Sequence, residues 1–141
     1  MYIGQYNHTI DPKNRLFLPS ALRGKAKSFI LTQGLEGCMF LYDMQIWKKV
    51  LNKLENLSLS DKMQERAFKR ALLSGAHELY VDTQGRVLIP KNLKEFAKIK
   101  LEVVIIGVGN KIEIWDEPMW KKYFKDKAEV SLKQLADKLE I

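Results

Sequence analysis

The chain has 141 residues, a formal net charge of +7, 46% hydrophobic and 29% charged side chains, and one cysteine. That length suits one ordinary domain or two very small ones, and the apolar fraction is that of a folded protein. One Cys excludes an internal disulfide framework and a Cys-only zinc site; no apolar run nears the ~20 residues of a membrane span, and residues 1–6 lack the basic and apolar regions of a secretory signal, so a soluble, reducing, cytoplasmic setting is expected.

In chain order, a short strand over 6–10 runs into Asp11, whose side chain can accept a backbone N–H and open a tight turn. Pro12 suits the second turn position, and Asn14 tolerates the left-handed conformation. A three-residue apolar strand over 16–18 is stopped by Pro19, which pre-sets a short helical turn. Strands over 29–32 and 39–42 flank a glycine turn over 34–37. Asp43 is a good N-cap for a helix with Ile46, Val50, Leu51, Leu54 and Leu57 on one face. Ser58 followed by Asp61 has the form of a capping box, which predicts a second helix running to Leu73 and stopped by Gly75.

The same plan then starts again. A strand over 78–81 leads into Asp82, a turn with Gly85 at the place of Asn14, a strand over 87–89, Pro90 and a short helix. Strands over 101–106 and 111–115 flank Gly109-Asn110, a hairpin signal. Asp116 caps another helix, and Ser131 followed by Gln134 predicts a separate final amphipathic helix carrying Leu132, Leu135 and Leu139.

The recurrence is in register. Residues 11–23 and 82–94 share Asp, Arg, three apolar residues, Pro and Leu at a spacing of 71 residues, and each stretch ends on a basic residue. After a two-residue slip, residues 43–49 are echoed by 116–122, each with a Trp followed by two Lys. The organisation expected is one repeat over 5–49, a helical linker over 50–75, a second repeat over 76–122 and a C-terminal helix over 123–141. A unit of about 45 residues rarely builds a sufficient core alone. The two copies are therefore expected to interleave about a pseudo-twofold, bringing both turns onto related surfaces.

Charge follows the same division. Residues 1–50 carry a net +4, residues 51–75 a net +2 and residues 76–141 a net +1. A tight turn projects its side chains outward together, here Lys13, Asn14 and Arg15 in one copy and Gln84 and Arg86 in the other. Arginine's planar fork matches phosphate and the guanine edge, Asn and Gln can pair with adenine, and Lys adds a point charge for the backbone. An Asp–Arg pair at such a turn can also be a simple turn-stabilising ion pair. Its occurrence twice in register in a basic chain favours a binding role, with Asp11, Asp82 and Gly85 forming the turns.

The remaining features point away from enzymology. His8 and His77 have no metal-ligand spacing around them, and Gly107-x-Gly109 has Ile112 where a dinucleotide fingerprint needs its third Gly. No nucleophile elbow, zincin or P-loop pattern occurs. The expectation is a non-enzyme without metal, cofactor or small-molecule substrate. Cys38 reads as a small core residue, and Trp47 and Trp120 as residues packing helices onto sheet, with base stacking as the rival. Lys62, Arg66, Lys69 and Arg70 form a solvated helix face that could hold phosphates if it lay near nucleic acid.

The doubled Asp-x-x-x-Arg turns, each followed by a short apolar strand and Pro, resemble the MraZ family of bacterial transcriptional regulators. Residues 66–76 and the opening Gly4-Gln5-Tyr6 are also similar to that family. The resemblance implies an α+β fold of two pseudo-twofold-related swapped-hairpin units of the SpoVT-AbrB type, forming one small β-barrel-like core with peripheral helices. It implies a homo-oligomeric ring that is nucleoid-associated in the cytoplasm. It further implies sequence-specific binding of double-stranded DNA at short promoter repeats, repressing the division and cell-wall gene cluster and the protein's own gene. DNA contact would fall on Arg15 and Arg86, helped by Lys13, Asn14 and Gln84. Asn14 stands where the family commonly has Gly, so the two copies would touch DNA unequally. An AbrB-like oligomeric antitoxin or partner-binding module is the alternative, with the C-terminal helix as its docking element.

Overall fold

A computed structural model describes residues 1–141. The first sequence repeat supplies β1 (Gln5–Thr9), β2 (Arg15–Phe17), α1 (Ser20–Arg23), β3 (Ser28–Gln33), β4 (Met39–Asp43) and α2 (Met44–Glu55). Helix α3 (Lys62–Ser74) leads into the second, with β5 (His77–Tyr80), β6 (Arg86–Leu88), α4 (Lys91–Phe96), β7 (Glu102–Gly107), β8 (Ile112–Asp116) and α5 (Glu117–Tyr123). A π-helical turn (Phe124–Ala128) and α6 (Glu129–Leu139) complete the chain. The fold is α+β: a six-stranded antiparallel sheet in the order β1-β7-β8-β4-β3-β5, and a separate ribbon of β2 and β6.

Short strands need partners, and each repeat finds them in the other. β1 pairs with β7, and β5 pairs with β3, so each repeat lends its first strand to the opposite one. β4 meets β8 in the middle of the sheet, and β2 meets β6 in the ribbon. The registers are reciprocal. Leu16 opposes its counterpart Val87, and Phe40 opposes its counterpart Glu113, so a pseudo-twofold axis passes through both pairs.

The alternation along each strand divides the molecule into layers. One sheet face carries Phe29, Leu31, Met39, Leu41, Val103, Ile105, Ile112 and Ile114, which join Leu16, Leu18, Val87 and Ile89 of the ribbon strands and their ends in a single core. The short helices contribute Leu22 and Leu93 to it. The opposite face carries Ile30 and Tyr42, against which Trp47 of α2 packs, and Cys38, Val104 and Trp115 under α5. Trp47 is buried, and Trp120 stacks 5.3 Å from Trp115, so both pack helix onto sheet. Cys38 is fully buried, and burial first, then Glu113, pushes its thiol pKa up and keeps it protonated.

Three expectations are corrected. The sheet does not close into a barrel: β1 and β5 remain edges, and the three-residue ribbon strands hydrogen-bond as a ladder only to one another. Ser58 does not cap α3. Asn56 still closes α2, which leaves too little chain for a turn before Ser58, and Asp61 takes the cap by accepting from the Gln64 N–H at 3.0 Å. Ser131 opens no helix either, because it lies inside a helical rod continuous from Glu117 to Leu139. After Pro118 that stretch has neither Gly nor Pro to interrupt it, and the π turn absorbs the irregularity. The caps at Asp43 and Asp116 are as expected, accepting from Ile46 and Met119.

Candidate nucleic-acid interface

Both turns are built by the same bonds. Asp11 accepts the Asn14 N–H on its backbone carbonyl at 2.9 Å, and its own N–H donates to the Arg15 carbonyl at 3.0 Å. Asp82 repeats this with Gly85 and Arg86 at 3.0 and 2.9 Å. The residue after the two central ones must then be left-handed, as in a three-residue hairpin loop with a bulge. Asn14 has φ 61° and Gly85 has φ 79°.

The aspartate side chains finish the structure. Asp11 Oδ1 accepts from the backbone N–H of Lys13 at 2.9 Å and of Arg15 at 2.8 Å, and Oδ2 accepts from Arg15 Nε at 2.8 Å. Asp82 does the same with Gln84, Arg86 and Arg86 Nε at 2.8, 2.9 and 3.1 Å. Each arginine is thus tethered through Nε, a bond that uses neither of its terminal amino groups. They form the edge that bonds two oxygens, or guanine O6 and N7, in parallel.

The ribbon sets the turns side by side. With Leu16 and Val87 pointing into the core, Arg15 and Phe17, Arg86 and Leu88 share the outward face. Asn14 O accepts from Ile89 N at 2.8 Å and Gly85 O from Leu18 N at 2.9 Å, so each turn is fastened to the other repeat. Arg86 Nη1 lies 4.0 Å from Asp11 Oδ2, across the two copies. Lys13, Asn14 and Arg15 therefore lie beside Gln84 and Arg86 at one end of the molecule, as the sequence pattern implied.

Two basic residues join them that the sequence reading did not single out. Lys94 Nζ donates to Asn14 Oδ1 at 2.8 Å. Its counterpart Arg23 donates Nε to the Leu18 carbonyl at 2.9 Å and stacks over the Phe17 ring at 5.8 Å. A Cβ added at Gly85 would come 2.9 Å from Arg23 Nε, so Arg23 fills the place a side chain would need. Each short helix thus sends a cation onto the other repeat's turn. The signal was present, since both are the basic residues that end the repeated stretches. The unequal residues Asn14 and Gly85 make the two halves unequal: the first turn presents a carboxamide held by Lys94, the second a bare backbone under Arg23.

The helix face of Lys62, Arg66, Lys69 and Arg70 lies elsewhere. α3 packs on the sheet face opposite the ribbon, with Thr32 Oγ1 donating to the Leu72 carbonyl at 3.0 Å. Its charge is partly neutralised, because Glu65 pairs with Lys62 at 3.6 Å and Lys69 at 3.8 Å. No three His, Cys, Asp or Glu side chains converge as a metal site would require, and no helix is long and apolar enough to cross a membrane.

Acid should loosen both turns. The backbone N–H of Arg15, and after it the Arg15 side chain and the Lys13 N–H, hold the Asp11 pKa below the ordinary value; Arg86 N–H does so first for Asp82, then Gln84 N–H. A pKa lowered on folding contributes stability that is present above the unfolded value and lost as pH falls through the folded one. The urea midpoint is therefore expected to drop as pH passes below about 3.9. In the Asp11→Asn/Asp82→Asn variant that part of the drop should be absent. An unchanged pH profile in the variant would show that the turns do not titrate with folding.

This is a duplicated, strand-exchanged α+β protein that presents paired, aspartate-tethered arginine turns on one surface. The sequence profile described as "MraZ protein, putative antitoxin-like" matches residues 1–71 and again 72–140. A protein named "Transcriptional regulator MraZ" from Thermoanaerobacter pseudethanolicus is 44% identical over 141 residues, covering 99% of this chain and 97% of its own. Proteins of the same name from Heliobacterium modesticaldum and Clostridium tetani are 45% and 44% identical over 140 residues, each with 99% of this chain and 96% of their own covered. The chain belongs to the MraZ family, whose relatives carry the name of a transcriptional regulator and not of an enzyme.

Proposed function

We propose that this protein is a transcription regulator that binds double-stranded DNA through the paired turns, with Arg15 and Arg86 reading base edges. Lys13, Asn14 and Gln84 support them on bases and phosphates, and Arg23 and Lys94 brace the opposite turns. Asp11, Asp82 and Gly85 form the turns. The observation that carries this reading is the 4.0 Å approach of Arg86 to the Asp11 of the other repeat, which joins two tethered guanidinium groups into one surface. The repeats over 5–49 and 76–122 are, on this reading, two interlocked swapped-hairpin units of the SpoVT-AbrB type. The targets are short promoter repeats upstream of the division and cell-wall gene cluster, including the protein's own gene, and binding represses it. The protein works as a homo-oligomeric ring on the nucleoid, which sets many turns against successive repeats and raises avidity without new contacts per subunit.

Anisotropy titration of DNA from upstream of the protein's own gene tests this, against a scrambled duplex and over a salt series. Binding should prefer the natural sequence, and log affinity should fall linearly with log salt at about −0.9 per phosphate neutralised. Equal affinity for both duplexes would sink the sequence-specific reading, and a salt-insensitive affinity would sink the turn-to-DNA geometry. A partner-binding, antitoxin-like module is the second reading, favoured by the wording of the family description and by the exposed apolar face of α6. Absence of any DNA binding in the same titration would leave that reading in possession.

A further inference from the structure

The two turns differ at the residue before the arginine. In the first, Asn14 Oδ1 accepts from Lys94 Nζ at 2.8 Å, across the two repeats. Lys94 has no ion-pair partner, so this carboxamide oxygen is the fixed partner of its ammonium group. An ammonium group only donates, so the amide oxygen lies toward Lys94 and the amide nitrogen away from it. Nδ2 bonds nothing in the chain, and the one buried side-chain polar atom without a partner is His77 Nε2, so Asn14 Nδ2 is open to solvent. The backbone of Asn14 is fixed as well, by its N–H on the Asp11 carbonyl at 2.9 Å and its carbonyl on the Ile89 N–H at 2.8 Å. The second turn has no counterpart: Gly85 carries no side chain, and Arg23 crowds the space where a Cβ would stand.

We propose that Lys94 is a positioning residue that makes Asn14 a donor, so that the first turn selects guanine over adenine at one base pair while the second turn makes no such choice. The inference rests on the proposed contact between the turns and DNA. A free carboxamide reads adenine with both ends, accepting from N6 and donating to N7. Here the accepting end already faces a cation, which repels a second donor such as adenine N6. The cation also polarises the amide and strengthens Nδ2 as a donor. Guanine's own major-groove edge offers acceptors alone, O6 and N7, and suits Nδ2 and the ammonium group together. The bound element is therefore asymmetric, with a guanine facing the first turn and no matching requirement at the second.

Single base-pair substitutions test this. Each pair of the duplex from upstream of the protein's own gene is changed in turn, and anisotropy competition is run at one salt with wild type, Lys94→Met, Asn14→Gly and the double variant. Methionine matches lysine in length and cannot donate, and glycine at position 14 keeps the turn, as Gly85 does with φ 79°. Binding of the unaltered duplex shows that each variant folds. Wild type should lose about fivefold or more in affinity when the guanine at one position is replaced by adenine. Asn14→Gly should abolish that preference. Lys94→Met should accept adenine at the same position and nowhere else. In the double variant the loss of Lys94 should change nothing further, because Lys94 acts through Asn14. A Lys94→Met variant that weakens every duplex equally would make Lys94 a phosphate contact and overturn the inference. So would a guanine preference that survives Asn14→Gly, or a preference for adenine at the Asn14-dependent pair. A wild type indifferent to every substitution would instead overturn the sequence-specific DNA reading itself.

Discussion

The double variant Arg15→Ala/Arg86→Ala is expected to lose sequence-specific DNA affinity while keeping its fold. Each arginine spends only Nε on its aspartate and keeps a two-toothed edge for DNA. Losing one such base contact costs ~1–3 kcal/mol and relaxes specificity at that position. The two losses need not add, because the guanidinium of Arg86 already approaches the aspartate that holds Arg15. Lysine is expected to restore salt-dependent attraction but not sequence preference, because it lacks the planar fork. Folding should survive, since the backbone N–H groups of residues 13 and 15, and 84 and 86, still bond the two aspartates. Anisotropy on natural and scrambled duplexes at one salt, with a urea midpoint for each variant, checks both halves. A double variant with natural operator affinity would refute the assignment.

The second large effect concerns stability. Leu16→Ala is expected to cost ~2–5 kcal/mol, read as a lowered urea midpoint at unchanged slope. Leu16 is fully buried, sits on the pseudo-twofold axis opposite Val87, and belongs to the core shared by both repeats. Truncation there opens a cavity beneath both arginines at once. Leu88→Ala, on the outward face of the same ribbon and 60% exposed, should stay within about 0.5 kcal/mol. Equal effects at the two positions would mean that the ribbon does not pack on the sheet.

The turns were legible because local chemistry dictates them. Asp, and Asn or Gly, occupy the places where a side-chain acceptor and a left-handed residue are required, Pro12 adds a fixed φ in the first copy, and strand ends follow within a residue or two. The strand partners were not legible, because period-two patterning gives the buried face of β1 or β5 but not which strand lies beside it. The start of α3 failed because Ser58-x-x-Asp61 and Asp61-x-x-Gln64 are competing cap patterns, and the length of chain needed to leave α2 decides between them. Ser131 failed because a good capping residue is also tolerated inside a helix when nothing upstream breaks it. Arg23 and Lys94 were missed because their role depends on which repeat's turn they reach, a matter of tertiary exchange.

That exchange also sets a timetable for synthesis. Gln5 pairs with Ile106, so the first strand made has no partner until nearly the whole sheet has been translated. At ~5–20 residues per second, roughly a hundred residues separate the two by about 5–20 s. During that interval the nascent first repeat exposes an unpaired strand. β1 gains its place in the sheet only once β7 has been made, and pairing over so long a stretch of chain is intrinsically slow.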